Sequence, residues 1–264
     1  MANETKPFNP QQYWEKRLQK QWGLHGVGYL GLGGYNNWVY RAKASVFDRV
    51  IRSLHQPSGF AAFDIGSGTG FYIDRWKANG AGTIRGMDLT EVAVTRLRSQ
   101  YPDLQFMQGD ISDGSNLPLE EFDVVSVMDV LFHIVDDSRY AAALENIYRI
   151  VKPGGHLVFS EFFLHHEPVV AQHHVSRTLA AIEKMVKGVG FSIVQRVPTH
   201  FFMNQPLDTQ SKVLKRGWDE FTTAIERHPG IGGLAGAVLF PIDMALVRLL
   251  RESPTTETMV CRKV

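Results

Sequence analysis

From residue 60 onward, short apolar runs alternate with amphipathic stretches. "FAAFDI" (60–65), "TIRGMDL" (83–89), "LQFMQGD" (104–110), "FDVVSVMDV" (122–130) and "HLVFSEFF" (156–163) read as strands, each followed by a turn or helix signal. Between and after them, helical spacing predicts helices over 71–79, 90–100, 137–151 and 175–188. Thr90 suits an N-cap, and "KPGGH" at 152–156 stops one helix and turns the chain into the next strand. That alternation implies right-handed crossovers and the α/β class: a doubly wound, mostly parallel sheet covered on both faces.

The flanks break the pattern. The first 55 residues carry no strand signal and read as a helical cap with a glycine-aromatic loop. After "FSIVQRVPTHFF" (191–202), a segment with two helical patterns precedes "TETMVCRKV" (256–264), whose alternation suggests a last strand. The expected organisation is a cap and flap over 1–55, a core over 56–203, a helical lid insert over 204–254 and the core's final strand over 255–264. No internal repeat or low-complexity tract is evident.

Composition narrows the picture. A chain of 264 residues, 44% hydrophobic, can bury a sizeable core, which argues against disorder. A formal net charge of +1 offers no global field for nucleic acid or an acidic membrane; the basic lean of 1–55, Lys43 and Arg49 included, reads first as a solvated face. Cys261 is the only cysteine and the polar start lacks a signal peptide's apolar core, so a cytoplasmic location is the expectation. The apolar stretch 230–250 is interrupted by Pro241, Asp243 and Arg248, and reads as a buried helical hairpin or lid rather than a membrane span.

Two glycine clusters compete as a cofactor loop. "GVGYLG" (26–31) matches G-x-G-x-x-G but follows no strand pattern. "DIGSGTG" (64–70) follows "FAAF" and leads into a helix, as a ligand loop requires, and Asp88 ends the next strand about 20 residues on, where an acid accepts from ribose hydroxyls. A carboxylate at Asp64 would repel a pyrophosphate and attract a cation. S-adenosylmethionine fits, with its sulfonium, ammonium, ribose and adenine; a nicotinamide oxidoreductase rests on "GVGYLG" alone.

On these residues the stretch 60–162 resembles the core of Rossmann-like, class I S-adenosylmethionine-dependent methyltransferases. "DIGSGTG" resembles their glycine loop, "GMDLT" the ribose turn, "QGDIS" the adenine-edge loop, and "FDVVSVMDVLFHI" with "IYRIVKPGGHLVFSE" the fourth and fifth strands. The resemblance implies a seven-stranded sheet with an antiparallel final strand. It implies that Gly66, Gly68 and Gly70 let the backbone approach the cofactor and that Asp88, with Leu89 in the same turn, binds the ribose. Asp110 would accept from the adenine amino group, Ile111 would stack near the ring, and Met128 and Asp129 would lie by the methionine part. Asp110 and Asp113 equally suit caps of the turn "GDISD".

A sulfonium methyl is already activated, so the protein must hold the acceptor in line and exclude water; a base matters only when the acceptor must lose a proton. His133, just past the fourth strand, is the candidate base, with pocket shaping as the alternative role. The histidines of "FLHHEPVVAQHHVS" lack metal-ligand spacing, so no metal is expected and His165 is taken as substrate-facing. "MDVLFH" differs from the Asn/Asp-Pro-Pro-aromatic motif of base and amide methylation, and no arginine stripe with exposed aromatics suggests nucleic acid. A small-molecule acceptor remains: an oxygen or nitrogen of a metabolite, natural product or glycan precursor. A peptide terminus, or a non-catalytic methyltransferase-like binding subunit, is the alternative; oligomeric state is not read. Six glycines between 23 and 34 suggest a mobile flap hanging Tyr29, Tyr35 and Trp38 over the ligand, with Arg41 meeting the cofactor's carboxylate.

Overall fold

A computed structural model describes residues 8–118 and 121–264. In chain order the elements are α1 (Pro10–Lys20), α2 (Leu24–Val27), α3 (Tyr35–Ser53), β1 (Ala61–Ile65), α4 (Phe71–Ala78), β2 (Thr83–Asp88), α5 (Glu91–Gln100), β3 (Gln105–Gln108), β4 (Phe122–Val127), α6 (Asp137–Ile150), β5 (Val151–Glu161), β6 (Val169–Ala171), β7 (His174–Ser176), α7 (Leu179–Val189), β8 (Phe191–Pro198), α8 (Lys212–Arg227), α9 (Ile231–Leu249) and β9 (Glu257–Lys263).

The described residues form a seven-stranded sheet in the order β3-β2-β1-β4-β5-β9-β8. β1 to β5 are parallel, and β9 runs antiparallel between β5 and β8. The chain winds outward one way through β2 and β3 and returns to β4 beside β1, leaving a crevice at the carboxyl ends of β1 and β4.

Strand alternation divides the core between two faces. Phe63, Val125 and Leu157 meet α6 and α7 through Tyr140, Ile147 and Ile182. Ala62, Val124 and Val158 face the other way, against Phe47 and Val50 of α3, Ile73 and Trp76 of α4 and Leu97 of α5. Thr90 does cap α5, accepting from Ala93 N–H.

Three local expectations change. The helix expected over 175–188 starts at Leu179, capped by Thr178; Val175 and Ser176 instead pair with Val170 and Val169 in a hairpin, where a β-branched residue packs well. "KPGGH" lies inside β5: the register shifts from Phe122↔Val151 to Val124↔His156, so 152–155 bulge from the ladder. The stretch 230–250 becomes α9, which by length and composition is able to cross a membrane. It packs on α3, and buried Asp243 accepts from Phe201 and Phe202 N–H, tying the helix into the fold. α9 is therefore not a buried hairpin, and much of its apolar surface faces solvent.

Candidate functional site

β1 delivers the chain into the loop 66–70, and α4 starts at Phe71. The loop is folded back against β2: Gly66 and Ser67 N–H both donate to the Met87 carbonyl. Gly66 has φ +75°, and a Cβ there would lie 2.2 Å from Val130 Cγ2, so only glycine fits this approach. Asp88 closes the arrangement from β2. Its Oδ2 accepts from Gly68 N–H at 2.8 Å, and Oδ1 accepts from Thr90 N–H at 2.9 Å and Thr90 Oγ at 2.7 Å.

These loops line a cavity of about 610 Å³ at the crevice. Its floor and walls include Gly66, Gly68, Asp88, Leu89, Asp110, Ile111, Met128, Asp129 and His133, drawn from four strand ends. Helix α1 roofs it with Pro10, Trp14 and Leu18, and Val27, Tyr40 and Tyr72 complete the enclosure. Asn9 caps α1 by accepting from Gln12 N–H, and Pro10 starts it, which sets the i, i+4, i+8 row that faces the cavity. The Glu15 carboxylate fastens the roof by accepting from Glu91 and Val92 N–H at the start of α5.

Asp64 and Gly70 do not line the cavity. Asp64 is buried behind the loop: Oδ1 accepts from Ser126 Oγ at 2.6 Å, and Ser126 Oγ accepts from Trp76 Nε1 at 3.1 Å. Its Oδ2 has no partner, and burial pushes its pKa up to about 7. Tyr72, which does line the cavity, has a hydroxyl that likewise lacks a partner. The Tyr72 hydroxyl is able to donate or accept, and Asp64 when ionised places negative charge behind the loop. Gly70 turns its Cα toward Tyr101 and serves packing.

Asp129 sits at φ +59°, a strained backbone for a non-glycine residue. Its N–H donates to Ser160 Oγ at 2.7 Å, and Oδ2 accepts from Lys43 Nζ at 2.6 Å. Burial works against both charges, yet Lys43 holds Asp129 below the usual carboxylate range and Asp129 holds Lys43 above its ordinary value. Lys43 therefore belongs to the apolar stripe of α3 with Val39, Val46 and Val50, not to a solvated basic face. That spacing was the available signal. Asp110 combines two roles at the rim: Oδ1 accepts from Ser112 N–H in the local turn, and Oδ2 pairs with Arg139, a residue that sequence reasoning missed.

His133 lines the cavity on a short 3-10 turn, with its ring 5.0 Å from Trp14, edge to face. Its Nδ1 donates to the His173 carbonyl at 2.8 Å, since a carbonyl only accepts, which leaves Nε2 as the basic nitrogen. Burial pushes its pKa down to about 4, so the imidazole is neutral near pH 7.

The remaining expected ligand residues lie elsewhere. Arg41 is stacked over Trp38 and Phe240, outside the cavity. Tyr29 bonds Asn204 and packs on Trp218; Tyr35 is fully buried against Phe221; Trp38 packs on Phe240. None of the three lines the cavity. His165 pairs with Asp208 and borders a separate groove beside Leu164 and Glu183. The glycine-aromatic segment is pinned: Arg17 donates to the Gly26 and Gly28 carbonyls, and the Asn36 amide brackets Tyr29 by accepting from its N–H and donating to its carbonyl. Within 23–34 Val27 alone touches the cavity, packing beside Gly68, and Tyr40 follows from α3. The reason is geometric: Tyr35 and Trp38 fall on the α3 face that meets α8 and α9 rather than the sheet, and Tyr29, in the loop before α3, packs into the same cluster. Among the described residues no trio of His, Cys, Asp or Glu side chains converges as metal donors would.

The family model described as "Methyltransferase domain" matches residues 63–159. A ubiquinone biosynthesis O-methyltransferase of Rhodopseudomonas palustris (strain BisB18) is 30% identical over 152 residues, covering 54% of this chain and 57% of that protein. The dTDP-3-amino-3,4,6-trideoxy-alpha-D-glucopyranose N,N-dimethyltransferase of Streptomyces venezuelae is 26% identical over 188 residues, covering 69% and 76%. The chain spans about half the length of several curated relatives it matches. Among solved structures, the N-methyltransferase NodS of Bradyrhizobium japonicum WM9, in complex with S-adenosyl-L-homocysteine, aligns over 97% of this chain and 99% of its own, with a TM-score of 0.58 and 15% identity.

Proposed function

Starting from a chain that has the fold of the class I S-adenosylmethionine-dependent methyltransferases, we propose that it binds this cofactor and transfers its methyl group to an oxygen or nitrogen of a small molecule. The observation that carries the reading is the cavity: a strand-glycine loop-helix turn, an acid at the end of the next strand and an apolar wall at Ile111 converge there. Bound S-adenosylmethionine supplies an already activated methyl on a sulfonium. Asp88 keeps one lone pair, on Oδ2, for a ribose hydroxyl, Ile111 and Leu89 offer apolar contact to a base, and Asp129 and Tyr72 suit the cationic end. Trp14 and Leu18 of α1 exclude water, which would otherwise solvate the nucleophile or take the methyl group in its place.

Neutral His133 accepts a proton through Nε2 when the acceptor carries one. Its low basicity suits an acceptor whose proton leaves late, and places more weight on positioning than on deprotonation. The relatives' substrates, a ubiquinone precursor step in one name and an aminosugar nucleotide in another, make a metabolite or glycan precursor the acceptor class in this reading. A cytoplasmic setting accords with the lone, buried Cys261 thiol.

The test is calorimetric titration of S-adenosylhomocysteine into the wild type and Asp88→Asn, followed by mass detection of S-adenosylhomocysteine formed from S-adenosylmethionine and a metabolite panel. Asp88→Asn is expected to weaken binding by roughly 10- to 100-fold, the loss of charge-assisted hydrogen bonds worth ~1.5–3 kcal/mol. Absence of binding by the wild type would sink the proposal; binding without product across the panel would favour the non-catalytic alternative.

A further inference from the structure

Helix α9 is more apolar than its packing requires. Its mean hydropathy is 1.6, yet only 28% of that stretch is buried. Gly232, Gly236, Met244 and Val247 form the buried side. The opposite side sets Ile231, Leu234, Val238, Ile242 and Leu249 at intervals of three, four, four and seven, one continuous stripe along the helix, with Leu234 70% and Leu249 78% exposed. A scattered leucine on a surface is ordinary; a stripe the length of a helix marks a contact.

The exposed charge on α9 itself is of one sign, and Glu252, the acid just beyond its end, is paired with Arg196. Asp243 is the only acid in α9 and is buried under backbone donors. Arg248 sits next to Arg49 of α3, whose pKa is lowered by burial and then by that neighbouring guanidinium. Arg49 and Arg248 spend hydrogen bonds on the carbonyls of Val247 and Met244, Arg41 stacks on aromatic rings, and Arg251 is exposed just beyond the helix. Among the described residues none of these four guanidinium groups forms an ion pair. We propose that the outer stripe of α9, with Arg248 and Arg251 at its end, docks the protein on an anionic lipid surface, the helix lying in the interface plane.

Two features choose this occupant. A second copy seated on the same stripe would set the arginines either against each other, if the helices ran parallel, or over the partner's Ile231 end, if antiparallel, and α9 carries no exposed acid at either end to receive them. A bilayer leaflet supplies apolar depth for the stripe and phosphates for the arginines together. Spanning is a different matter: pulling α9 into the hydrocarbon would strip Asp243 from the Phe201 and Phe202 amides. Lipid docking through α9 uses none of the residues that line the cavity, so either proposal can fail alone.

The test is sedimentation of the full chain with vesicles of phosphatidylcholine alone and of phosphatidylcholine containing phosphatidylglycerol, with light scattering to read its oligomeric state. The wild type is expected to pellet with the anionic vesicles and to be released by salt. The exposed triple variant L234Q/V238Q/I242Q should lower the bound-to-free ratio by at least about tenfold. R248Q/R251Q should lower it about fivefold per charge on anionic vesicles and leave neutral vesicles unaffected. Unchanged thermal unfolding of both variants keeps misfolding from imitating the result. No pelleting, equal pelleting with both vesicle types, or insensitivity to the substitutions would overturn the proposal. So would a concentration-dependent dimer that the triple variant dissolves.

Discussion

Substituting Lys43 by methionine tests whether the N-terminal helices are fastened electrostatically to the cavity wall. The ammonium donates to Asp129 at 2.6 Å, with the two side chains 11% and 25% exposed. Removing one partner of a fully buried pair costs ~3–5 kcal/mol, because the remaining charge is left without compensation. Asp129 is a quarter exposed, so water screens part of that loss, and about 2–3 kcal/mol is expected for Lys43→Met. In a chain of this size that corresponds to a fall of roughly 5–10 °C in Tm. The double variant K43M/D129N removes both charges and should recover most of the loss, so a double-mutant cycle by urea unfolding gives a coupling of about 2 kcal/mol. The pH dependence has a definite sign. Without Lys43, burial raises the pKa of Asp129, so the stability carried by its protonated form is present at low pH and lost as pH rises through that value. The deficit of K43M is therefore larger at pH 8 than at pH 5. A single variant within ~0.5 kcal/mol of wild type, as for an ordinary surface lysine, with additive effects in the double variant, would refute the reasoning.

Two further outcomes are expected. Asp64, held near pKa 7 by burial, must lose its proton to favour a cation in the cavity. Calorimetry should show S-adenosylmethionine binding tighten as pH rises toward about 7, by up to about tenfold per unit, then level off, and Asp64→Asn should flatten the profile. In the unliganded protein the same group acts oppositely, contributing stability that is lost as pH rises through about 7. Gly66→Ala should cost roughly 2–4 kcal/mol by chemical unfolding, strain at positive φ plus the 2.2 Å approach to Val130. Gly80→Ala, at φ +84° with nothing within 4 Å, should cost only about 1–2 kcal/mol; equal losses would show that the clash is relieved at no cost.

Much of the cavity's floor was legible from local pattern. A glycine loop directly after a strand, and an acid at the end of the next strand, are read within about thirty residues, and the parallel crossovers then bring them together without further information. Ile111, Met128 and His133 follow for the same reason, since each lies at the carboxyl end of a strand or just past it. Local pattern also misled. Val175 and Ser176 look helical in isolation and become strand only because 169–171 is available to pair with them.

The roof was not legible in that way. The period of α3 shows that it has a buried face but not which neighbour meets each turn of that face, and the sheet and α9 receive different sectors. Hence Tyr40 lines the cavity, Lys43 reaches Asp129 across 86 positions, and Arg41, between them in the chain, points away. Asp64 illustrates the same limit within a strand. Its identity and neighbours were plain, but the strand's alternation aims its carboxylate at Ser126 behind the loop instead of into the cavity. What the chain determined by itself was therefore the sheet and the loop, because these follow from backbone period and glycine sterics. The packing angle of the N-terminal helices, a balance of many side-chain contacts distant in sequence, decided which residues roof the cavity and left the stripe of α9 facing outward.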